Sequence, residues 1–171
     1  INNFIAATEP LGDRAAALIP GNEAVSDTRF VLDYFRRAPD GRLLFGGGET
    51  YGRRFPPDLK VFVRRPMLRV FPQLADVRLD HAWGGTLAIT RRRNPLFLRT
   101  APKRLVIGGW SGSGVHMATM GGAIAAEAVG GTLARWDVIA SDAAARFPGR
   151  DRLRAPLLAL AMTWYALRDG V

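Results

Sequence analysis

The sequence predicts an α+β fold with a mostly antiparallel sheet and flanking helices, and three observations predict it. Over residues 26–45, Phe30, Leu32 and Tyr34 alternate with Arg29, Val31 and Asp33. Pro39-Asp40-Gly41 then turns the chain and Arg42 leads a returning run, which is the pattern of a hairpin. Over residues 104–131 a short apolar strand, a glycine-serine turn and a helix of small residues follow one another. Near the end, Leu157, Leu160, Ala161, Trp164 and Leu167 share one face of a helix that Pro156 opens.

In chain order, residues 2–9 read as a strand that begins abruptly and without an initiator Met, so the chain reads as a piece of something longer. Residues 13–19 are a short helix and Pro20-Gly21-Asn22 a turn. After the hairpin, residues 46–52 (three glycines, Glu49, Thr50, Tyr51, Gly52) read as a flexible loop that, with Arg53 and Arg54, could contact a ligand, although a solvated surface loop is the simpler reading. Pro56-Pro57-Asp58 opens a helix that buries Leu59, Phe62, Val63, Met67, Val70 and Phe71, with Pro66 kinking or splitting it. Residues 76–90 form a long strand containing His81, Trp83, Gly84 and Gly85. Residues 95–99, a turn at Ala101-Pro102-Lys103 and the strand at 105–107 lead to the glycine turn. Beyond it, Trp136-Asp137 starts a short helix and residues 147–150 break it.

The turn Trp110-Ser111-Gly112-Ser113-Gly114 carries the strongest chemical signal. It has no bulky side chain between Ser111 and Gly114, so its N–H groups can approach a flat or anionic ligand closely. The positive end of the following helix points at the same place. Ser113 is placed as the N-cap of a helix beginning near Val115, and Gly130-Gly131 supplies a left-handed stop. Ala118, Gly122, Ala125 and Ala126 form a small-residue stripe suited to tight packing. Three generic motifs fail here. The dinucleotide fingerprint would need glycine where Met117 stands, the nucleotide-triphosphate loop would need Lys where Val115 stands, and the hydrolase elbow fails at Ser113.

Composition narrows the classes. With 171 residues and 48% hydrophobic content, the chain can bury a good core. It has no cysteine and two histidines, so no disulfide framework or thiolate metal site is available and no metal is expected. The longest apolar run, residues 155–167, is too short and interrupted to span a bilayer, and the cytoplasm is the default location. The net charge of +9 comes from scattered arginine pairs and one triplet with little lysine, which speaks against a nucleic-acid partner.

The run Trp110-Ser111-Gly112-Ser113-Gly114-Val115 resembles the C-terminal signature of the FAD-dependent D-amino-acid-oxidase-like oxidoreductases, with Ser113 where that family usually has His. Residues 25–28, 32–36, 40–47, 71–74 and 82–86 resemble the substrate-side sheet of its gamma-glutamylputrescine oxidoreductase-like branch. Thr90 and Pro95 keep their places in a further segment in which Arg91, Arg92 and Leu98 depart from the pattern, and the Pro156-Leu157 to Trp164-Tyr165 stretch matches the family's ending.

The resemblance implies that residues 1–104 form a substrate-side sheet and helix. Residues 105–171 would supply the last strand, the glycine-turn helix and the terminal helices of a FAD domain whose N-terminal half, with its own dinucleotide fingerprint, is missing. FAD would be the cofactor of the full-length parent, not retained by this chain alone, and a small amine or amino acid its substrate. Gly112, Ser113, Gly114 and Val115 would contact the flavin through backbone N–H groups, with Trp110 and Gly85 beside them. Trp83, His81, Tyr51 and Arg54 are the candidate substrate contacts, and no residue is assigned to catalysis. His81 beside Trp83 and His116 in the first helical turn also read as structural histidines, and Met162, Trp164 and Tyr165 as packing. Two other classes stay open: an inactive assembly module that oligomerises through faces the missing half would cover, and a serine hydrolase using Ser111 or Ser113 with His116 or His81.

Overall fold

The computed structural model describes residues 1–52, 54–141 and 150–168. The chain packs as two units, Ile1–Thr86 with Ala155–Val171, and Leu87–Arg154. The boundary expected at 104/105 falls inside a hairpin of the second unit, where Arg99 pairs with Leu105. Both sheets are antiparallel throughout.

In the first unit, β1 (Asn2–Thr8), β2 (Val25–Ser26), β3 (Tyr34–Arg37), β4 (Leu43–Thr50) and β5 (Leu79–Thr86) form a sheet of order β2-β3-β4-β1-β5. The short helix α1 (Asp13–Leu18) follows β1, and α2 (Leu59–Val70) covers the sheet. Alternation decides the faces. Phe4 and Ala6 of β1 and Leu43 and Phe45 of β4 point inward and meet Val63 and Met67 of α2, all within a few per cent of complete burial. Asn3 and Ile5 face the other way, with Glu49 and Gly85 opposite Asn3 and Gly46 and Trp83 opposite Ile5.

The α2 helix starts where the sequence predicts. Asp58 is its N-cap, its carboxylate accepting from the Val61 amide at 3.0 Å. Pro66 does not split it: the ring is buried inside a single twelve-residue helix and lies under Gly47. Val70 is exposed, contrary to the expected apolar face, whereas Phe71 is buried.

Two further expectations in this unit are corrected. Residues 27–33 form an irregular loop and not a strand, because the Asp27 carboxylate accepts from the amides of Arg29 and Asp33 (both 3.2 Å) and the Asp27 amide donates to the Asp33 carbonyl at 3.0 Å. The hairpin stands where expected, between β3 and β4 with its turn at Ala38–Arg42, but its first strand is only Tyr34–Arg37. Residues 46–50 are not a loop but the second half of β4. Glycine is needed at 46 because the Tyr34 ring lies flat across that position, where any Cβ would overlap it.

The second unit opens with residues 87–95, which are irregular, so the strand predicted over 76–90 is only β5 long. A two-stranded hairpin follows, β6 (Leu96–Ala101) with β7 (Arg104–Gly108), then α3 (Gly114–Val129) and α4 (Ala134–Ala140). Phe97, Ile124, Ala128 and Trp136 form its core, with the Phe97 and Trp136 rings edge-to-face at 5.1 Å. Gly131, at φ +95°, ends α3 as expected. Of the small-residue stripe only Ala125 packs against the core: Gly121, Ile124 and Ala128 are buried, while Ala118, Gly122 and Ala126 are exposed.

The last helix, α5, spans Arg150–Arg168 and contains Pro156 in its interior, so it begins six residues before the proline expected to open it. The break expected at residues 147–149 lies outside the described residues, as does Arg53. Within the first unit's part of α5, Met162 is buried and Tyr165 stacks on Phe30 at 4.1 Å, as packing residues. Trp164 is 63% exposed and Leu160 and Leu167 are also exposed, so the face predicted to pack is open.

Candidate functional site

In the second unit, Trp110, Gly112, Ser113, Gly114 and Val115 lie at the turn into α3, with Gly112, Ser113 and Val115 exposed and Trp110 and Gly114 half-buried. Three residues of the turn have left-handed backbone: Gly109 at φ +68°, Ser111 at +52° and Gly112 at +95°. Glycine bears this without cost, and Ser111 does not. The Ser113 amide closes back on the Trp110 carbonyl at 2.9 Å, while the Ser113 carbonyl accepts from Met117 at 3.2 Å and starts the helix.

The amides of Gly112, Gly114, Val115 and His116 donate to no group among the described residues, and Gly112, Ser113, Val115 and His116 are all exposed. Val115 is 91% exposed, an apolar side chain held open beside four free donors. Ser113 occupies the N-cap position, yet its hydroxyl makes no capping bond. The reason is its ψ of 35°, outside the extended region from which a cap side chain reaches the helical amides.

Ser111 is committed to structure. Its amide donates to Ala88 O at 3.0 Å, its hydroxyl donates to Gly109 O at 3.2 Å, and its Oγ accepts from the Thr90 amide at 3.1 Å. Trp110 folds back along α3 against Gly121, whose missing Cβ would stand 2.9 Å from the indole. An apolar groove of about 290 Å³ lies elsewhere in this unit, between β6, α3 and α4, lined by Pro95, Phe97, Met117, Met120, Val138 and Ile139.

A flavin's pyrimidine edge is planar, carries carbonyl oxygens and gains negative charge on reduction. The donor set suits it: open amides only, at the positive end of a sixteen-residue helix, with space over Gly112. Glu127 and Asp137, two acidic side chains of this unit, both lie beyond the first turns of α3, and Glu127 is paired with Arg135 at 2.8 Å.

The other candidates lie in the first unit. His81, Trp83 and Gly85 alternate along β5 on the sheet face away from α2, opposite Ala7, Ile5 and Asn3. His81 is exposed and Trp83 is 45% exposed, so Trp83 is not a core residue and His81 is not its buried neighbour. Tyr51 follows β4, half-buried, and Arg54 is exposed.

Reading the sequence missed three partners on this face: Tyr34, Asn3 and Glu49. The Tyr34 hydroxyl donates to Asn3 Oδ1, and Glu49 pairs directly across from Asn3. Burial, then the Glu49 carboxylate, raises the Tyr34 phenol and pushes Tyr51 up to about 12, so both remain protonated donors. The alternation Asn3-Phe4-Ile5-Ala6 in β1 was the signal that could have found this face. At the strand ends, buried Asn2 bonds Thr50 Oγ1 (3.0 Å), Gly52 O (2.9 Å) and the Thr86 hydroxyl (2.7 Å), tying β4, β1 and β5 together.

Among the described residues there is no cluster of His, Asp and Glu able to hold a metal ion and no helix long and apolar enough to cross a membrane.

Known proteins bear on this geometry. The family described as FAD dependent oxidoreductase (DAO) matches residues 1–128. The "Probable oxidoreductase OrdL" of Rhizobium meliloti is 44% identical over 169 residues, covering 99% of this chain and 39% of that protein. Gamma-glutamylputrescine oxidoreductase of Escherichia coli is 39% identical over 166 residues, covering 96% of this chain and 39% of that protein. L-proline dehydrogenase from P. horikoshii has a similar fold over 75% of this chain and 34% of its own, with a TM-score of 0.56 at 21% identity. The chain thus spans about two fifths of the length of the curated relatives it matches. Over most of its length, including the sheet of the first unit and the glycine turn with α3, it belongs to the family of FAD-dependent oxidoreductases.

Proposed function

We propose that this chain is the C-terminal portion of a FAD-dependent oxidoreductase that oxidises an amine or amino acid, a gamma-glutamyl polyamine being one candidate substrate. The observation that carries the reading is the set of outward, unengaged amides of Gly112, Gly114, Val115 and His116 within a stretch the family shares. FAD, when bound, supplies the redox chemistry by accepting hydride from the substrate C–H beside nitrogen.

The chain's own residues have three tasks. The turn amides and the α3 dipole stabilise negative charge at the ligand's edge. Trp110, packed on Gly121, fixes the entrance of the turn. On the first unit's open sheet face, Trp83 offers apolar surface and Tyr51 a neutral hydroxyl donor to a small polar substrate, with Gly85 leaving room for it and His81 and Arg54 as further contacts. No residue here is assigned to proton transfer from substrate.

The remaining FAD contacts would come from the rest of the parent protein, so the chain alone is expected to be inactive and to hold FAD weakly. The test is the visible absorbance of the purified chain titrated with FAD. A shift of the flavin bands that saturates, and that is lost when Gly112→Val blocks the turn, supports the assignment. Bands unchanged at every concentration in both proteins leave the turn without its ligand.

A second reading, a non-catalytic assembly module, has its own support: Val115, Val129, Val138, Leu160 and Leu167 are large apolar side chains at least two thirds exposed. It requires association, and a concentration series in sedimentation that stays monomeric defeats it. The hydrolase reading loses ground because the Ser111 hydroxyl already donates to Gly109 O. The cytoplasm remains the proposed location.

A further inference from the structure

Ser111 is a non-glycine residue held at φ +52° in the middle of the ligand-facing turn. A side chain in that region costs free energy, and the conformation persists only where the surroundings enforce it. Here the enforcement comes from one segment, residues 88–94. Ala88 O accepts from the Ser111 amide at 3.0 Å, and the Thr90 amide donates to Ser111 Oγ at 3.1 Å. The Thr90 methyl fills the place beside Gly109, standing 2.6 Å from where a Cβ would be. Thr90 also closes its own segment: its hydroxyl donates to Asn94 O at 2.7 Å, and its carbonyl accepts from the Arg93 amide at 3.2 Å.

We propose that Thr90 is a positioning residue for the ligand turn, its closed 90–94 turn locking Ser111 in the left-handed region and thereby aiming the amides of Gly112, Gly114, Val115 and His116. The role of the turn as a flavin contact rests on the function proposed above; the lock itself does not. Without it, Ser111 relaxes toward negative φ, and the amides after it rotate away from a common target. The hydroxyl of Thr90 is the indispensable part, since it holds the loop shut; the methyl adds packing.

The experiment uses the whole chain, isotopically labelled, as wild type, Thr90→Ala and Thr90→Ser. A left-handed residue has a short separation between its amide proton and its α proton, so Ser111 gives a strong intraresidue cross-peak in the wild type. In Thr90→Ala that cross-peak weakens and the amide resonances of Gly112, Gly114, Val115 and His116 shift, while those of β1 stay in place. Thr90→Ser restores both. If Thr90→Ala leaves the Ser111 cross-peak and the turn amides unchanged, even with a lowered melting temperature, Thr90 is only a packing residue and the proposal is overturned. If Thr90→Ala fails to fold, Thr90→Ser decides: the turn amides must keep their wild-type positions, and displaced ones overturn the proposal.

FAD titrations of the same proteins separate this inference from the flavin assignment. With the assignment correct, Thr90→Ala binds FAD about fivefold more weakly, the loss of roughly one hydrogen bond's worth of preorganisation. If the wild type shows no binding but the cross-peak and amides respond as described, the positioning role stands and the flavin reading alone fails.

Discussion

Substituting alanine at Gly121 and, separately, at Gly122 tests how the ligand turn is held. The two glycines are neighbours in the interior of α3, so each substitution gains the same intrinsic helix preference, about 0.8–1.0 kcal/mol. Their surroundings differ. At Gly122 an added Cβ meets nothing within 4 Å; at Gly121 it would stand 2.9 Å from Trp110 Cη2, 3.4 Å from Cζ3 and 3.5 Å from Phe97 Cζ. Ordinary carbon–carbon contact begins near about 3.5 Å, so the indole must move by about half an ångström or more. Phe97 and the fixed helix backbone close off the easiest retreat, and overpacking of this kind costs about 1–3 kcal/mol. Gly122→Ala is therefore expected to stabilise the chain by about 0.8–1.0 kcal/mol. Gly121→Ala is expected to leave stability unchanged or lower it by up to about 2 kcal/mol. Urea unfolding followed by tryptophan emission measures both. Because Trp110 begins the turn, Gly121→Ala should also shift the amide resonances of Gly112 and Gly114, and Gly122→Ala should not. Equal stabilisation by the two substitutions would refute the claim that Trp110 is seated on Gly121.

Thr8 is fully buried, donating to Glu9 O at 2.7 Å and accepting from the Leu43 amide at 2.9 Å; Thr8→Val keeps the volume, strands that amide and should cost about 1–3 kcal/mol in a denaturant melt. Asp80 is held down to about 2 by hydrogen bonds from Arg42 and then Arg78. A depressed folded value means its contribution is present above the unfolded carboxylate range of about 3.9 and fades as pH falls from there through about 2. Asp80→Asn should therefore flatten the acid limb of the stability curve, and a carboxyl carbon titration should place Asp80 below ordinary aspartates. Tyr51, raised to about 12 by burial and then by Glu49, behaves in the opposite sense. Its contribution is complete below the unfolded phenol value of about 10 and is lost as pH rises through about 12. Ultraviolet titration at 295 nm should find Tyr34 and Tyr51 late, both moving earlier in Glu49→Gln.

Local chemistry made much of the fold legible. Asp58 capping α2, Gly131 stopping α3 and the turn at 38–42 are each dictated by residues within four positions, and each stands where the sequence put it. The misreadings came from tertiary context. Three glycines at 46–48 look like a flexible linker until Tyr34 and Phe62 are seen lying over the strand that contains them. The alternation of Phe30 and Leu32 has strand period, but the Asp27 side chain offers that backbone a competing set of bonds. On α3, apolar residues occur all round the helix, so periodicity could not tell the buried line of Gly121, Ile124 and Ala128 from the exposed line of Ala118, Gly122 and Ala126.

The candidate site divides in the same way. The turn from Trp110 to Val115 was readable because its function follows from backbone conformation, and glycine advertises backbone conformation in sequence. What holds that turn was not readable: Thr90 lies twenty-one residues from Ser111, and nothing about a lone threonine beside an arginine triplet announces the bond. The open sheet face was half readable for a related reason. His81, Trp83 and Gly85 are spaced two apart and so share a face in any strand, whereas the addition of Tyr34, Asn3 and Glu49 depends on the strand order β3-β4-β1-β5 and on a register shift in β1–β4 pairing. That shift places Glu49 opposite Asn3 and Gly46 opposite both Ile5 and Tyr34, which lets the Tyr34 ring cross β4 and reach Asn3. A one-residue change of register would carry the tyrosine hydroxyl to the core side, where Phe4 and Phe45 leave no room for a polar group. The bulge at Gly47-Gly48 lets β4 absorb one extra residue while Glu49 still meets Asn3, so deleting one residue there restores a regular ladder and should leave the Tyr34–Asn3 bond and the Glu49–Asn3 pairing in place.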